Sequence, residues 1–132
     1  MYKSFILLIF FHLLSCTDQG EPFLYSVKNT STFDLKLAIF DKIGKSDTIL
    51  INVFDSKVLD KEGPPYDNGP FSDKDSIKVI FSNNKILTYK SFKSKDDCLN
   101  SDKNPFCQYS HYECDGNNCS FEIDNVEYLK AK

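Results

Sequence analysis

The feature that most constrains the fold of this chain is the alternation in Phe33-Asp-Leu-Lys-Leu-Ala-Ile-Phe40. Phe33, Leu35, Leu37 and Ile39 fall on one face, and Asp34 and Lys36 fall on the other. A period of two is the signature of a half-buried strand. Thr48-Ile-Leu-Ile-Asn-Val-Phe54 continues it, with Ile49, Ile51 and Val53 sharing a face. The polar connection from Asp41 to Asp47 holds Gly44, as a hairpin requires. Ser76–Ser82 and Ile86–Phe92 flank Asn83-Asn84 and predict a second hairpin. Phe23–Val27 reads as a short strand before the turn cluster Lys28–Thr32. Ser56–Leu59 reads as a short strand or edge extension. Phe121–Asp124 and Val126–Leu129 read as strand-like closing pieces. No segment carries a capped helical pattern of useful length. The expectation is an all-β domain, a small antiparallel β-sandwich that is immunoglobulin-like in general form, with a small β-barrel as the alternative.

The amino terminus carries a different kind of information. Lys3 precedes the apolar run Phe5–Leu14, and Ser15-Cys16 follows. A positive residue, a short apolar stretch and a small residue make a secretory signal. The run is shorter than the roughly 20 residues that span a bilayer, and His12 interrupts it. Leu13-Leu14-Ser15-Cys16 resembles the lipobox of bacterial lipoproteins. The resemblance implies removal of residues 1–15, a palmitate-type acyl anchor on Cys16, and a polar tether over 16–22 before a single β-rich domain at 23–132. Two or more acyl chains anchor stably where one does not. Thr17, in place of the Asp associated with inner-membrane retention, implies the cell envelope at the outer membrane, facing the periplasm or the cell surface. An ordinary secretory signal is the alternative. The sequons Asn29-Thr30-Ser31 and Asn118-Cys119-Ser120 would then be glycosylation acceptors.

The chain has more acidic than basic residues, a formal net charge of -3, and no arginine. No basic stripe is visible, so nucleic acid is not an expected partner. Of the five cysteines, Cys16 goes to the lipid. Cys98, Cys107, Cys114 and Cys119 form an even set, which in a small exported domain reads as two disulfides within a stapled segment at 98–119. Three pairings are open. Neighbour pairing, Cys98–Cys107 with Cys114–Cys119, closes the shortest loops. A four-thiolate zinc site would favour closer pairs than the first two cysteines make.

Residues 62–75 hold three prolines and two glycines and cannot form a regular element. Long loops of this kind often carry function. Asp67–Asp75 offers oxygen ligands suited to calcium but lacks the EF-hand spacing, and turn formation explains the same residues. Tyr66 and Phe71 in this loop, and Tyr109, His111 and Tyr112 in the stapled segment, are the candidate ligand-contacting residues. Aromatic side chains of this kind stack on sugars or anchor protein interfaces. Ser110 next to His111 lacks the G-x-S-x-G context of an activated serine, and no carboxylate pair stands out for glycoside chemistry. No catalytic residue, metal or cofactor is expected.

The lipobox, Val27-Lys-Asn-Thr-Ser31, Asp75-Ser-Ile-Lys-Val-Ile-Phe81 and Lys85-Ile-Leu-Thr-Tyr89 together resemble small lipoproteins of the Bacteroidetes. That resemblance covers residues 13–92. It implies envelope exposure and a β-rich fold, and assigns no activity. The expected function is a membrane-anchored, non-catalytic binding module with a protein or glycan ligand. The alternatives are an inhibitor of a wall-degrading enzyme, from the faint likeness of Tyr112-Glu-Cys-Asp-Gly116 to a stretch of lysozyme inhibitors, and a small hydrolase.

Overall fold

In the computed structural model the described residues are 21–61, 69–107 and 110–132. The signal, Cys16 and most of the tether lie outside them, as does much of the loop at 62–75. Eight strands and two short helices follow in order: β1 (Leu24–Asn29), β2 (Leu35–Asp41), β3 (Ser46–Ile51), β4 (Ser56–Lys61), β5 (Lys74–Phe81), β6 (Ile86–Lys90), α1 (Lys95–Leu99), β7 (Glu113–Asp115), β8 (Asn118–Ile123) and α2 (Asn125–Lys130). They build two four-stranded sheets that pack face to face. Sheet A has the order β4-β1-β8-β7 and sheet B the order β3-β2-β5-β6. The fold is a sandwich and does not close into a barrel.

The alternation sets which side of each strand is buried. In sheet B, Leu35, Leu37 and Ile39 of β2 face the core with Ile77, Val79 and Phe81 of β5. In sheet A, Tyr25 and Val27 of β1 face it with Cys119, Phe121 and Ile123 of β8. The void left between the sheets is about 10 Å3 and apolar, at the lower limit of what one water needs. The larger hollows, of about 370 and 320 Å3, are shallow and lie on the outside of sheet B.

Three features depart from the sequence expectations. The sandwich is not wholly antiparallel, because β1 pairs parallel to β8 over Leu24–Asn29. Lys95–Leu99 is a short helix, with Ser94 Oγ accepting from the Asp97 amide. Val126–Leu129 is helical rather than strand-like. Asp124 accepts from the Val126 and Glu127 amides at 2.6 and 3.3 Å, and so satisfies donors that a helix start leaves unpaired. Among the described residues, no helix is long and apolar enough to cross a membrane.

Candidate interaction surface

The two disulfides join Cys98 to Cys107 and Cys114 to Cys119. The second ties facing positions of β7 and β8, around a turn in which Gly116 has φ +57°. All four cysteines are thereby consumed. Among the described residues, no group of three or more His, Cys, Asp or Glu could hold a metal ion.

Among the described residues, the loop aromatics Phe71 and Tyr112 do not form an exposed patch. Phe71 is only 3% exposed and meets the Phe106 ring at 5.9 Å. Tyr112 is 9% exposed, packs edge-on against Tyr25, and donates to the Pro105 carbonyl at 2.8 Å. Burial raises the Tyr112 pKa, with the neighbouring Tyr25 adding to it. Both residues belong to the core cluster, where loop aromatics supply apolar area to the space between the sheets. His111 is half-buried, and its Nδ1 accepts from the Asn104 amide at 2.9 Å. It thus fixes the stapled loop. Tyr66 and Tyr109 lie outside the described residues.

Three of the exposed apolar side chains lie along the segment from β3 to β4, the β3–β4 ribbon. Leu50 is 66% exposed, Phe54 76% and Val58 59%. Leu50 lies on the outer side of sheet B, Val58 on the outer side of sheet A, and Phe54 at the turn between them. This turn runs from Asn52 to Asp55 and is closed by the Asp55 amide donating to the Asn52 carbonyl at 3.1 Å. Its third residue is Phe54, with φ +58°. Turns with positive φ at that position normally place Gly or Asn there. A bulky residue in the left-handed region is an outlier that surrounding contacts must impose.

Those contacts come from two polar residues that sequence reading treated as turn and surface. Asn29 is fully buried. Its Nδ2 donates to the carbonyls of Phe33, Ile51 and Asn52 at 2.9, 3.3 and 3.1 Å, while its backbone amide donates to the Asp55 carbonyl at 2.9 Å. Its Oδ1 accepts from the amide and hydroxyl of buried Ser31. Asp34 Oδ1 accepts from the Val53 amide at 2.8 Å. The ribbon is held on both sides while its apolar side chains stay in solvent. The sequence shows the alternation of Ile49, Ile51 and Val53 but not the exposure of Leu50, Phe54 and Val58. No protein-family model, no curated protein and no solved structure matches the chain.

Proposed function

We propose that this protein is a non-catalytic binding module of the cell envelope, lipid-anchored through Cys16, that engages a protein partner along its β3–β4 ribbon. One observation carries the reading: a solvent-exposed phenylalanine is held in a left-handed backbone between two further exposed aliphatics. An exposed Phe in that conformation contributes little to its own fold and costs about 1–2 kcal/mol of backbone strain. Large aromatics are the usual energetic centres of protein interfaces. The commitment of Phe71, Tyr112 and His111 to the fold also supports placing the contact surface on the ribbon and not in the loops.

Phe54→Asn tests this, because Asn accepts positive φ. Its unfolding free energy should rise by about 1 kcal/mol while partner binding falls. A photo-reactive residue at Val58 should give a discrete adduct in cells, and Phe54→Asn should remove that adduct. Loss of stability in Phe54→Asn, or an adduct indifferent to it, would mean that Phe54 serves the fold and not a partner.

A further inference from the structure

The outer sides of the two sheets carry opposite charge. On sheet B the outward residues of β2, β5 and β6 include Lys36, Lys78 and Lys90, and the acidic one is Asp41 at the end of β2, opposite Lys74. None of the three lysines forms an ion pair with a described residue; Lys78 Nζ lies 5.3 Å from the centre of the Phe40 ring on the same side. The nearest acids, Asp34 and Asp41, stand at the margins and are engaged in turns, Asp34 with the Val53 amide and Asp41 with the Ile43 and Lys45 amides. Asp75 lines the same outer hollow as Lys78. On sheet A the outward positions include Glu113, Asp115 and Glu122 against Lys28.

The lysines are also ordered. Lys36 is opposite Ile80, two residues from Lys78; Lys78 is opposite Thr88, two residues from Lys90. Strand and residue spacings put successive lysines about 8 Å apart on a diagonal across the sheet. Leu50, Ile80 and exposed Ile86 share the row of Lys36.

We infer that the outer side of sheet B lies against the anionic lipid headgroups of the bilayer that carries the anchor. Charge complementarity selects that side. The acidic outer side of sheet A is repelled by the same surface, so the molecule is oriented as well as attracted. Exposed Ile86 can enter the headgroup boundary beside the lysines. Chain length permits the arrangement, a point that rests on the lipid reading of Cys16. Sheet A receives the tether beside the β7–β8 turn, where Asn117 Nδ2 donates to the Glu21 carbonyl. From Cys16 to Glu21 the chain can reach about 17 Å at most. The sheets are about 10 Å apart, so the tether can pass round the sandwich edge to the bilayer.

The test uses the mature chain with Cys16→Ser, so that no acyl chain contributes. Phosphatidylglycerol–phosphatidylcholine vesicles should bind it, phosphatidylcholine vesicles should not, and added salt should weaken the binding. Lys36→Glu with Lys78→Glu and Lys90→Glu should lower the affinity at least about tenfold, since each lysine near an anionic surface contributes measurably. Replacing all three by Gln should give a smaller loss, and Lys28→Glu on sheet A none. Equal binding to both vesicle types, or binding unchanged in the triple variants, overturns the proposal. Binding to soluble polygalacturonate or polyglutamate with none to vesicles gives this side to an acidic polymer and overturns it too. Palmitate labelling of the wild-type chain in cells reads the anchor separately, and Phe54→Asn should bind vesicles like wild type.

Discussion

Asn29 joins the end of β1 to the start of β2, the end of β3 and the turn that follows. Its side chain uses both amide donors and its oxygen without any solvent exposure. Truncating it strands several buried backbone groups, and each carries a desolvation cost. Asn29→Ala should therefore lower the unfolding free energy by about 2–4 kcal/mol, measured by urea denaturation. A loss below that of an ordinary surface change would remove Asn29 from its central position. The same burial means that no glycan can sit on the Asn29 sequon in the folded chain, whereas Asn118 is exposed at the start of β8. From sequence, Asn29-Thr-Ser was recognisable as a turn. Its interior role was not, because the carbonyls it serves come from residues 4 to 23 positions away.

Among the elements, the strands were legible and the closing helix was not, and α2 explains why. Pattern reading assumes that apolar residues point inward. Here Val126 and Leu129 point outward and Glu127 is buried. The usable signal was Asp124 followed three residues later by Glu127, a helix-start pattern akin to a capping box. Glu127 lies 3.4 Å from Lys103 Nζ and 3.5 Å from Lys130 Nζ, and Lys103 also approaches Asp124 at 3.7 Å. Burial, and then a hydrogen bond with Asp124, raise the Glu127 pKa against the pull of the lysines. Burial opposes ionisation of Asp124 as well, but hydrogen bonds from the Glu127 side chain and the Val126 and Glu127 amides outweigh it and lower its pKa. The two run in opposite directions with pH. The Asp124 contribution is present above its ordinary value of 3.8 and is lost as pH falls through the lowered one. The Glu127 contribution is present below its ordinary value of 4.5 and is lost as pH rises through the raised one. Glu127→Gln should remove the second loss. The melting temperature of the variant relative to wild type should climb as pH rises from 4.5 toward neutrality; a constant difference would show that the carboxyl does not titrate in that window.

At the scale of the whole molecule, the stapled segment is a cover. It begins beyond β6, brings Phe106 against Phe71, and returns through Tyr112 to β7. Asn104 donates to the Lys90 carbonyl at 3.2 Å, which tethers the cover to sheet B. The Cys98–Cys107 disulfide keeps this irregular chain compact where little regular pairing does. Cys98→Ala with Cys107→Ala should cost about 2–3 kcal/mol and open the segment to proteases ahead of global unfolding. Equal protease resistance in the reduced and oxidised forms would mean that packing alone holds the cover. The cysteine parity was readable, whereas the neighbour pairing was one of three that stood open, favoured only for its short loops. That the loop aromatics serve this cover was not readable, since sequence gives no distance between residues 71 and 106.

The parallel pairing of β1 with β8 has a consequence in time. A ribosome delivers β8 last among the strands, yet β8 is an inner strand of sheet A and lies between β1 and β7. Sheet B needs only residues 35–90 and has the means to form as soon as they emerge. Sheet A must wait for nearly the entire chain, and such late, sequence-distant contacts slow folding. The consequence is an order of events: the two sheets cannot close on each other before β8 has been made.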